Sequence, residues 1–581
     1  MLRITRTRII LGVMAALGAI FIVRLFYLQV IQHDYYEQQA ILEHTTKFSI
    51  PANRGLIYAH DGTDKFAPLV LNEPVYTVYA DPSYVKEPSK IVDVMRRVAG
   101  GNVIKNFDSN LGNKESRYTV LARQVSKTQM ELIDKEKLAG VGFQPESKRV
   151  YPENALASQT LGFVNGEGQG QYGVEEALNE DLSGKDGQLK AVTDVNGIPI
   201  SVGTESVHTP PEHGKNVVLT IDRNIQAKTE QMLRSGLDRA KATKGSILVM
   251  DPNNGHILAL ANWPSYNPAD LANVTDYTLL SNRAVSDPYE PGSVIKALTM
   301  GVGLDAGRIQ PDTKYNNTGS IKIQDATIRN VLTSPLGAIT MTQVLQFSFN
   351  TGAVQVLQWL GGGDEINQKG KQKLYDYFTA HYMFGQKTGV KIAGEVSGDI
   401  VSPDDPQGGD VRYANMTFGQ GMSASMIQVL AAFAAGVNGG TYYEPQIVDG
   451  YLGDDDKTMS PIPSTIKKTG IVSQEASAKL RQMLHDARQG SSAAHGEKGG
   501  YYTGGKTGTA QVYDPQTGRY SDTETIGSYV GFGGQDRPQY VIMVRVDDAR
   551  NGGYSGSAAA APIFTELSNW MLDYLQIQPK G

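Results

Sequence analysis

Three short motifs, in chain order, carry the residue types of an acyl-transfer site: Ser293-Val294-Ile295-Lys296, Ser348-Phe349-Asn350 and Lys506-Thr507-Gly508-Thr509. A hydroxyl three residues before a lysine can be a nucleophile beside its base, because positions i and i+3 share one helix face. Pro291-Gly292-Ser293 reads as a turn opening an apolar helix, which puts Ser293 where unpaired N–H groups and the helix dipole favour developing negative charge. Val294, Ile295, Ala297 and Leu298 flank Lys296, and burial disfavours an ammonium. The expected chemistry is attack of the Ser293 hydroxyl on a carbonyl while neutral Lys296 takes the proton. The plainer alternative makes Ser293 a helix cap and Lys296 a surface lysine.

Each motif alone is weak, since Ser-x-x-Lys recurs at Ser83 to Lys86 and Ser464 to Lys467, and Lys-Thr-Gly at Lys387 and Lys468. Setting separates them. Ser464 follows Pro461-Ile462-Pro463, an extended stretch, and Lys387 lies in a loop-like run. By contrast, Gly504-Gly505-Lys506-Thr507-Gly508-Thr509-Ala510-Gln511-Val512 joins small residues that admit a close backbone to strand-like alternation. Thr507 and Thr509 should point one way and Lys506 the other, so a distortion is expected near Gly505 or Gly508. The backbone N–H groups of Ser293 and Thr509 are candidates for an oxyanion hole. Ser348 is assigned to proton shuttling, and Asn350 to holding a substrate amide and Lys296; the alternative is a helix-ending turn with Asn as terminator.

The elements that must position these residues come from pattern. Gly245 to Met250 and His256 to Ala261 flank Asn253-Asn254-Gly255, a hairpin signal. Strands are expected at Tyr529 to Gly533 and Tyr540 to Val546, with helices near 226–239, 293–304, 426–437, 473–488 and 560–575. That mixture predicts an α+β domain with an antiparallel sheet covered by helices. Residues 35–206 hold short strand-like runs such as Val75-Tyr76-Thr77-Val78-Tyr79 and no chemical motif, and Val207-His208-Thr209-Pro210-Pro211 reads as a linker near 206–214. Ile9 to Ile31 is apolar and, at about 1.5 Å per residue, long enough for the ~30 Å hydrocarbon core of a membrane. Arg24 and Tyr27 suit its far interface, and Arg3, Arg6 and Arg8 predict that residues 1–8 stay cytoplasmic while the rest is exported. A cleaved signal peptide is the rival, disfavoured because the apolar run continues through Ile20-Phe21-Ile22-Val23. With no cysteine, nine scattered histidines and no His-Glu-x-x-His, no metal or cofactor is expected, and a net charge of -6 argues against nucleic acid.

At these motifs the chain resembles the class B penicillin-binding proteins, the monofunctional D,D-transpeptidases of peptidoglycan synthesis. The resemblance extends over Val218-Leu219-Thr220-Ile221-Asp222, Tyr289-Glu290-Pro291-Gly292, Gly419-Gln420-Gly421 with Gln428, Asn438-Gly439-Gly440 and Ala560-Ala561-Pro562-Ile563-Phe564. Arg54-Gly55 and Gly173-Val174-Glu175 resemble the family's pedestal signatures, although its usual Asp-Arg is replaced here by Tyr58-Ala59-His60-Asp61. Val294 stands where the family often has Thr, and Phe349 is larger than its usual residue.

The resemblance implies a C-terminal serine transpeptidase/β-lactamase-like domain at 215–577 on a strand-rich, dimerisation-type pedestal at 35–206, with a transmembrane anchor at 9–31. It implies acylation of Ser293 by peptidoglycan stem peptides, with Thr507, Gly508, Thr509 and the charge of Lys506 binding the terminal carboxylate, and inhibition by β-lactams. Implied partners are the cytoplasmic membrane, a SEDS-type glycan polymerase and division or elongation proteins. Compact size and the lack of a long tail look more like the division-type (FtsI-like) branch than an elongation enzyme. A β-lactamase or D,D-carboxypeptidase is the second reading, with no deacylating Glu identified. A non-catalytic scaffold for a polymerase is the third.

Overall fold

The computed structural model describes residues 5–36, 45–62, 65–192, 207–453, 457–514, 519–551 and 555–580. Arg3, used above for orientation, lies outside them. Internal contacts divide the chain into two units, residues 1–54 with 184–214, and residues 55–183 with 215–581.

In the first unit, helix α1 (Arg6–Phe26) continues into a wide turn at Tyr27–Ile31, buries no side chain and is long and apolar enough to be a single-pass membrane anchor. The Arg24 guanidinium lies over the Tyr27 ring at 5.5 Å, so the one interrupting charge is partnered by an interface-seeking aromatic. The unit also holds a three-stranded antiparallel sheet in which Gly187–Val192 pairs with Thr45–Ile50 and Val207–Thr209. Val207–Thr209 was expected to be linker and is a strand instead. Its β-branched ends suit a ladder, and Pro210-Pro211 then ends the pairing.

The larger unit contains two principal sheets. In the first, β1 (Ile57–His60), β2 (Phe66–Ala80), β3 (Thr119–Ser126) and β4 (Val141–Val150) join β5 (Asn216–Asp222), and β1 pairs with β5 in parallel. One sheet thus crosses the sequence position read as an interdomain boundary. Arg149 on β4 donates to buried Glu175 through Nε at 2.9 Å and to Asn72 at 2.8 Å, forming the polar centre of this region.

The second sheet has five antiparallel strands: β6 (Lys244–Met250), β7 (Ile257–Trp263), β8 (Gly504–Asp514), β9 (Arg519–Gly534) and β10 (Pro538–Asp547), in the order β7-β6-β10-β9-β8. The expected hairpin after Met250 is present, with Gly255 at φ +81 where a side chain would be strained. Strand alternation splits the sheet's neighbours into two cores. Leu248 and Met250 pack with Leu298, Met300 and Leu430, whereas Ile247 and Val249 pack with Leu233, Leu237, Phe564 and Leu567. The second group comes from helices α2 (Arg223–Ala240) and α8 (Ala561–Tyr574), the first from α3 (Ile295–Asp305) and α6 (Met426–Val437). All of α6 is buried, as its uniform apolarity requires. Helices α4 (Met341–Phe347), α5 (Asn350–Gly361) and α7 (Gln474–Gln489) complete the wall around the α3 N-terminus.

Candidate active site

A single 3-10 turn, Gly292–Val294, feeds Ser293 into α3, where every residue from Ile295 to Leu304 is buried. Gly292 has φ +64, and a Cβ there would lie 2.8 Å from the Thr509 carbonyl oxygen. Gly508 is equally constrained: its Cβ would meet Ser528 Oγ at 2.3 Å and Val294 Cγ1 at 3.0 Å. The glycines therefore let the nucleophile turn rest directly on β8, and Val294, a departure from the family pattern, fills the seam.

Lys296 has no exposed surface. Its Nζ lies 2.9 Å from Ser293 Oγ, 2.6 Å from the Ser348 carbonyl oxygen and 3.1 Å from Ser348 Oγ. A neutral amine satisfies all three: two N–H groups donate to Ser348 and the lone pair faces the Ser293 hydroxyl proton. Burial, and then the charge of Lys506, holds Lys296 well below the ordinary lysine value of 10.5. The surface-lysine alternative is therefore incompatible with this structure.

Ser348 ends α4 in the left-handed region at φ 57, a conformation costing a non-glycine residue about 1–2 kcal/mol. That bend turns both its carbonyl and its hydroxyl toward Lys296. Phe349, the second departure, is wholly buried against Phe347 at 5.5 Å and anchors the bend. Asn350 opens α5 and lines the cleft, yet its amide donates to the Arg329 carbonyl at 2.8 Å, not to Lys296. Its expected contact with Lys296 is thus replaced by the Ser348 carbonyl, which the left-handed bend brings closer.

From the opposite wall, Lys506 Nζ donates to Ser348 Oγ at 3.0 Å, Thr507 O at 3.0 Å and Thr507 Oγ1 at 3.1 Å. Burial lowers its pKa to about 7. Ser348 Oγ thus accepts from both lysines and keeps its own proton to donate. The distortion expected near Gly505 or Gly508 is absent, because pairing with β9 is unbroken from Gly504 to Gln511 and shifts only between Gln511 and Tyr513. Since β8 is the edge of its sheet, the long Lys506 side chain curls past a free edge without a bulge. Thr509 Oγ1 accepts from Gly556 N at 3.1 Å. All eight anticipated residues lie on this one assembly, and the cleft between them has a volume of about 830 Å³.

A buried support missed in the sequence lies behind Asn350. Asn330 Oδ1 accepts from Thr351 N at 3.0 Å, satisfying a free donor of the α5 first turn, while its Nδ2 donates to Asn317 Oδ1 at 2.9 Å and Thr351 Oγ1 at 3.0 Å. Asn317 in turn donates to the Pro335 carbonyl at 2.7 Å, tying the cleft rim at Val331 and Leu332 to the second motif. No local pattern marks Asn330. Gln428 was readable as one half of a Ser425-x-x-Gln428 capping box, which the structure contains.

Residues 245–569 match the penicillin binding protein transpeptidase domain and residues 49–219 the penicillin-binding protein dimerisation domain. Stage V sporulation protein D of Bacillus subtilis (strain 168) is 31% identical over 96% of this chain and 84% of its own length. The chain belongs to the class B penicillin-binding proteins. Among relatives of this penicillin-binding protein, peptidoglycan D,D-transpeptidase FtsI of Escherichia coli (strain K12) is 28% identical over 96% of this chain and 89% of its own. Penicillin-binding protein 3 of Mycobacterium tuberculosis, solved in complex with aztreonam, superposes with a TM-score of 0.68 at 25% identity, covering 92% of this chain and 98% of that one. Like these relatives, this penicillin-binding protein is of the peptidoglycan D,D-transpeptidase type and FtsI-like.

Proposed function

We propose that Ser293 attacks the penultimate D-Ala carbonyl of a peptidoglycan stem peptide and that Lys296 is the base. The observation that carries this reading is the buried Lys296 Nζ, which lies 2.9 Å from Ser293 Oγ, 2.6 Å from the Ser348 carbonyl oxygen and 3.1 Å from Ser348 Oγ. The serine proton passes to Lys296, the C–N bond breaks, and Ser348 relays a proton to the departing D-Ala amine. Charged Lys506, with Thr507 and Thr509, binds the terminal carboxylate across the strand that Gly508 keeps open. Asn350 holds the substrate amide from the rim, and the Ser293 and Thr509 N–H groups stabilise the oxyanion. An amine from a neighbouring stem then takes the acyl group. β-Lactams, which carry a strained amide beside a carboxylate, acylate the same serine.

Residues 9–31 then serve as the anchor, 35–206 as the pedestal and 215–577 as the catalytic domain, with the N-terminus cytoplasmic and the catalytic domain outside. The FtsI-like affinity favours a septal role beside a SEDS-type polymerase, and depletion distinguishes it: filaments follow for division, round cells for elongation. The chemistry is tested by following the intact mass of the detergent-solubilised protein after labelled penicillin. An adduct persisting for many minutes supports the transpeptidase. Rapid turnover identifies a hydrolase, and no adduct on folded protein leaves the scaffold.

A further inference from the structure

Gly419-Gln420-Gly421 lies outside the three catalytic motifs, yet it is built onto the nucleophile turn. Both glycines are in the left-handed region, at φ +79 and +71, and a Cβ on Gly419 would lie 2.2 Å from the Gly292 carbonyl oxygen. Backbone thus rests on backbone, which only glycine permits. Three hydrogen bonds fasten the contact: Gly292 N donates to Gly419 O at 3.0 Å, Gly421 N to Glu290 Oε1 at 2.8 Å, and Arg412 Nε to Gly421 O at 2.8 Å. The Cα atoms of Gln420 and Ser293 are thereby held within about 10 Å of each other, a span that about three extended residues cover. Phe418, two residues before Gln420, lies 5.9 Å from Lys296 Nζ, so the same segment also borders the base.

Between its glycines, Gln420 is half-buried and lines the catalytic cleft. Its backbone N–H donates to Asn415 O at 3.1 Å, but its side-chain amide makes no hydrogen bond among the described residues. Other polar side chains of the cleft are tied to the protein: Asn350 Nδ2 donates to Arg329 O at 2.8 Å, Gln346 Nε2 donates to Gly490 O at 2.8 Å, and Thr509 Oγ1 accepts from Gly556 N at 3.1 Å. Asn350 therefore commits a donor to Arg329 and keeps Oδ1 to accept, which leaves the cleft wanting an amide donor. A solvated surface glutamine explains the open hydrogen bonds of Gln420 but not a frame that fixes its backbone to the Ser293 turn. A side-chain amide held in this way, with donors and acceptor both open, is equipped to bind another amide.

We propose that Gln420 is a further binding residue for the acyl donor, its Nε2 donating to the carbonyl oxygen of the amide on the acyl side of the scissile bond while Asn350 Oδ1 accepts that amide's N–H. The inference rests on the acyl-enzyme reading above. In a penicillin the 6-acylamino group takes the place of this amide.

The test uses the full-length protein in detergent and two β-lactams that share nucleus and carboxylate: benzylpenicillin, which has the acylamino group, and 6-aminopenicillanic acid, which lacks it. Second-order acylation constants are read by intact mass, with the adduct located by peptide mapping. Gln420→Met keeps the length of the side chain and removes its hydrogen-bonding groups; it should slow acylation by benzylpenicillin about tenfold and leave acylation by 6-aminopenicillanic acid within about twofold of wild type. Gln420→Ala should show the same selective loss, and circular dichroism checks that both variants are folded. Wild-type rates with both compounds would make Gln420 a solvated side chain, and equal slowing of both would make it a support of the Ser293 turn alone; either result overturns the assignment. No adduct on wild-type Ser293 from either compound would instead bring down the acyl-enzyme reading, and this inference with it.

Discussion

The alkaline limb of the acylation rate follows from one side chain. Lys506 must be charged to bind a substrate carboxylate, yet burial lowers its pKa to about 7. A group with that value is about half charged at pH 7 and about 1% charged at pH 9, so acylation by a carboxylate-bearing β-lactam should fall about fiftyfold over that interval. On the acid side the rate should fall as Lys296, itself held low by burial and by Lys506, becomes protonated. The two limbs belong to the coupled lysines and not to either alone. The assay is the second-order acylation constant of the free enzyme from about pH 5.5 to about pH 9.5, with a carboxylate-free electrophile as control, which should lose the alkaline limb. A rate that stays level or climbs to pH 9 would refute the role of the Lys506 charge. The same burial has a stability sign. Between about 7 and 10.5 the unfolded lysine holds a proton that the folded one lacks, so stability rises with pH across that window, by up to about 5 kcal/mol. Lys506→Met should accordingly be more stable than wild type below pH 7, with the advantage shrinking at higher pH, as measured by denaturant titration.

Ser348→Ala removes the oxygen shared by both lysines and leaves two buried nitrogens one acceptor short; acylation should fall about 10- to 100-fold with the fold intact, read by fluorescent penicillin labelling and circular dichroism. Asn330→Ala strips the α5 first turn of its acceptor, and thermal unfolding should register a loss of about 1–3 kcal/mol together with slower acylation per folded molecule. Arg149→Ala removes the guanidinium that donates to buried Glu175 and to Asn72, which should cost about 3–5 kcal/mol in denaturant titration while acylation per folded molecule stays at the wild-type rate.

What the sequence conveyed well was local. The helix containing Lys296, the all-apolar α6 and the Asn253-Asn254-Gly255 hairpin follow from periodicity, burial and turn chemistry, each confined to a short window. The three motifs were readable because acyl transfer restricts residue types so strongly. Long-range pairing was not readable. Nothing near Ile57 announces that it lies in parallel beside Val217, and nothing near Val207 announces a strand whose partner lies at Lys190. The same holds for the side chains behind the site. Strand alternation predicted a bulge near Lys506, but the strand's place at the sheet edge, a property of the assembled fold, removes the need for one. Asn350 was paired with Lys296 by spacing alone, whereas a left-handed residue at Ser348 supplies the carbonyl instead.

The most direct measurement is peptide mapping of the penicillin adduct in wild type and in Lys296→Arg, whose guanidinium remains protonated throughout the accessible range. The account predicts a stoichiometric label on the peptide containing Ser293 in wild type, and labelling at least about 100-fold slower in the variant. A label on any other residue, or wild-type speed in the variant, would contradict it.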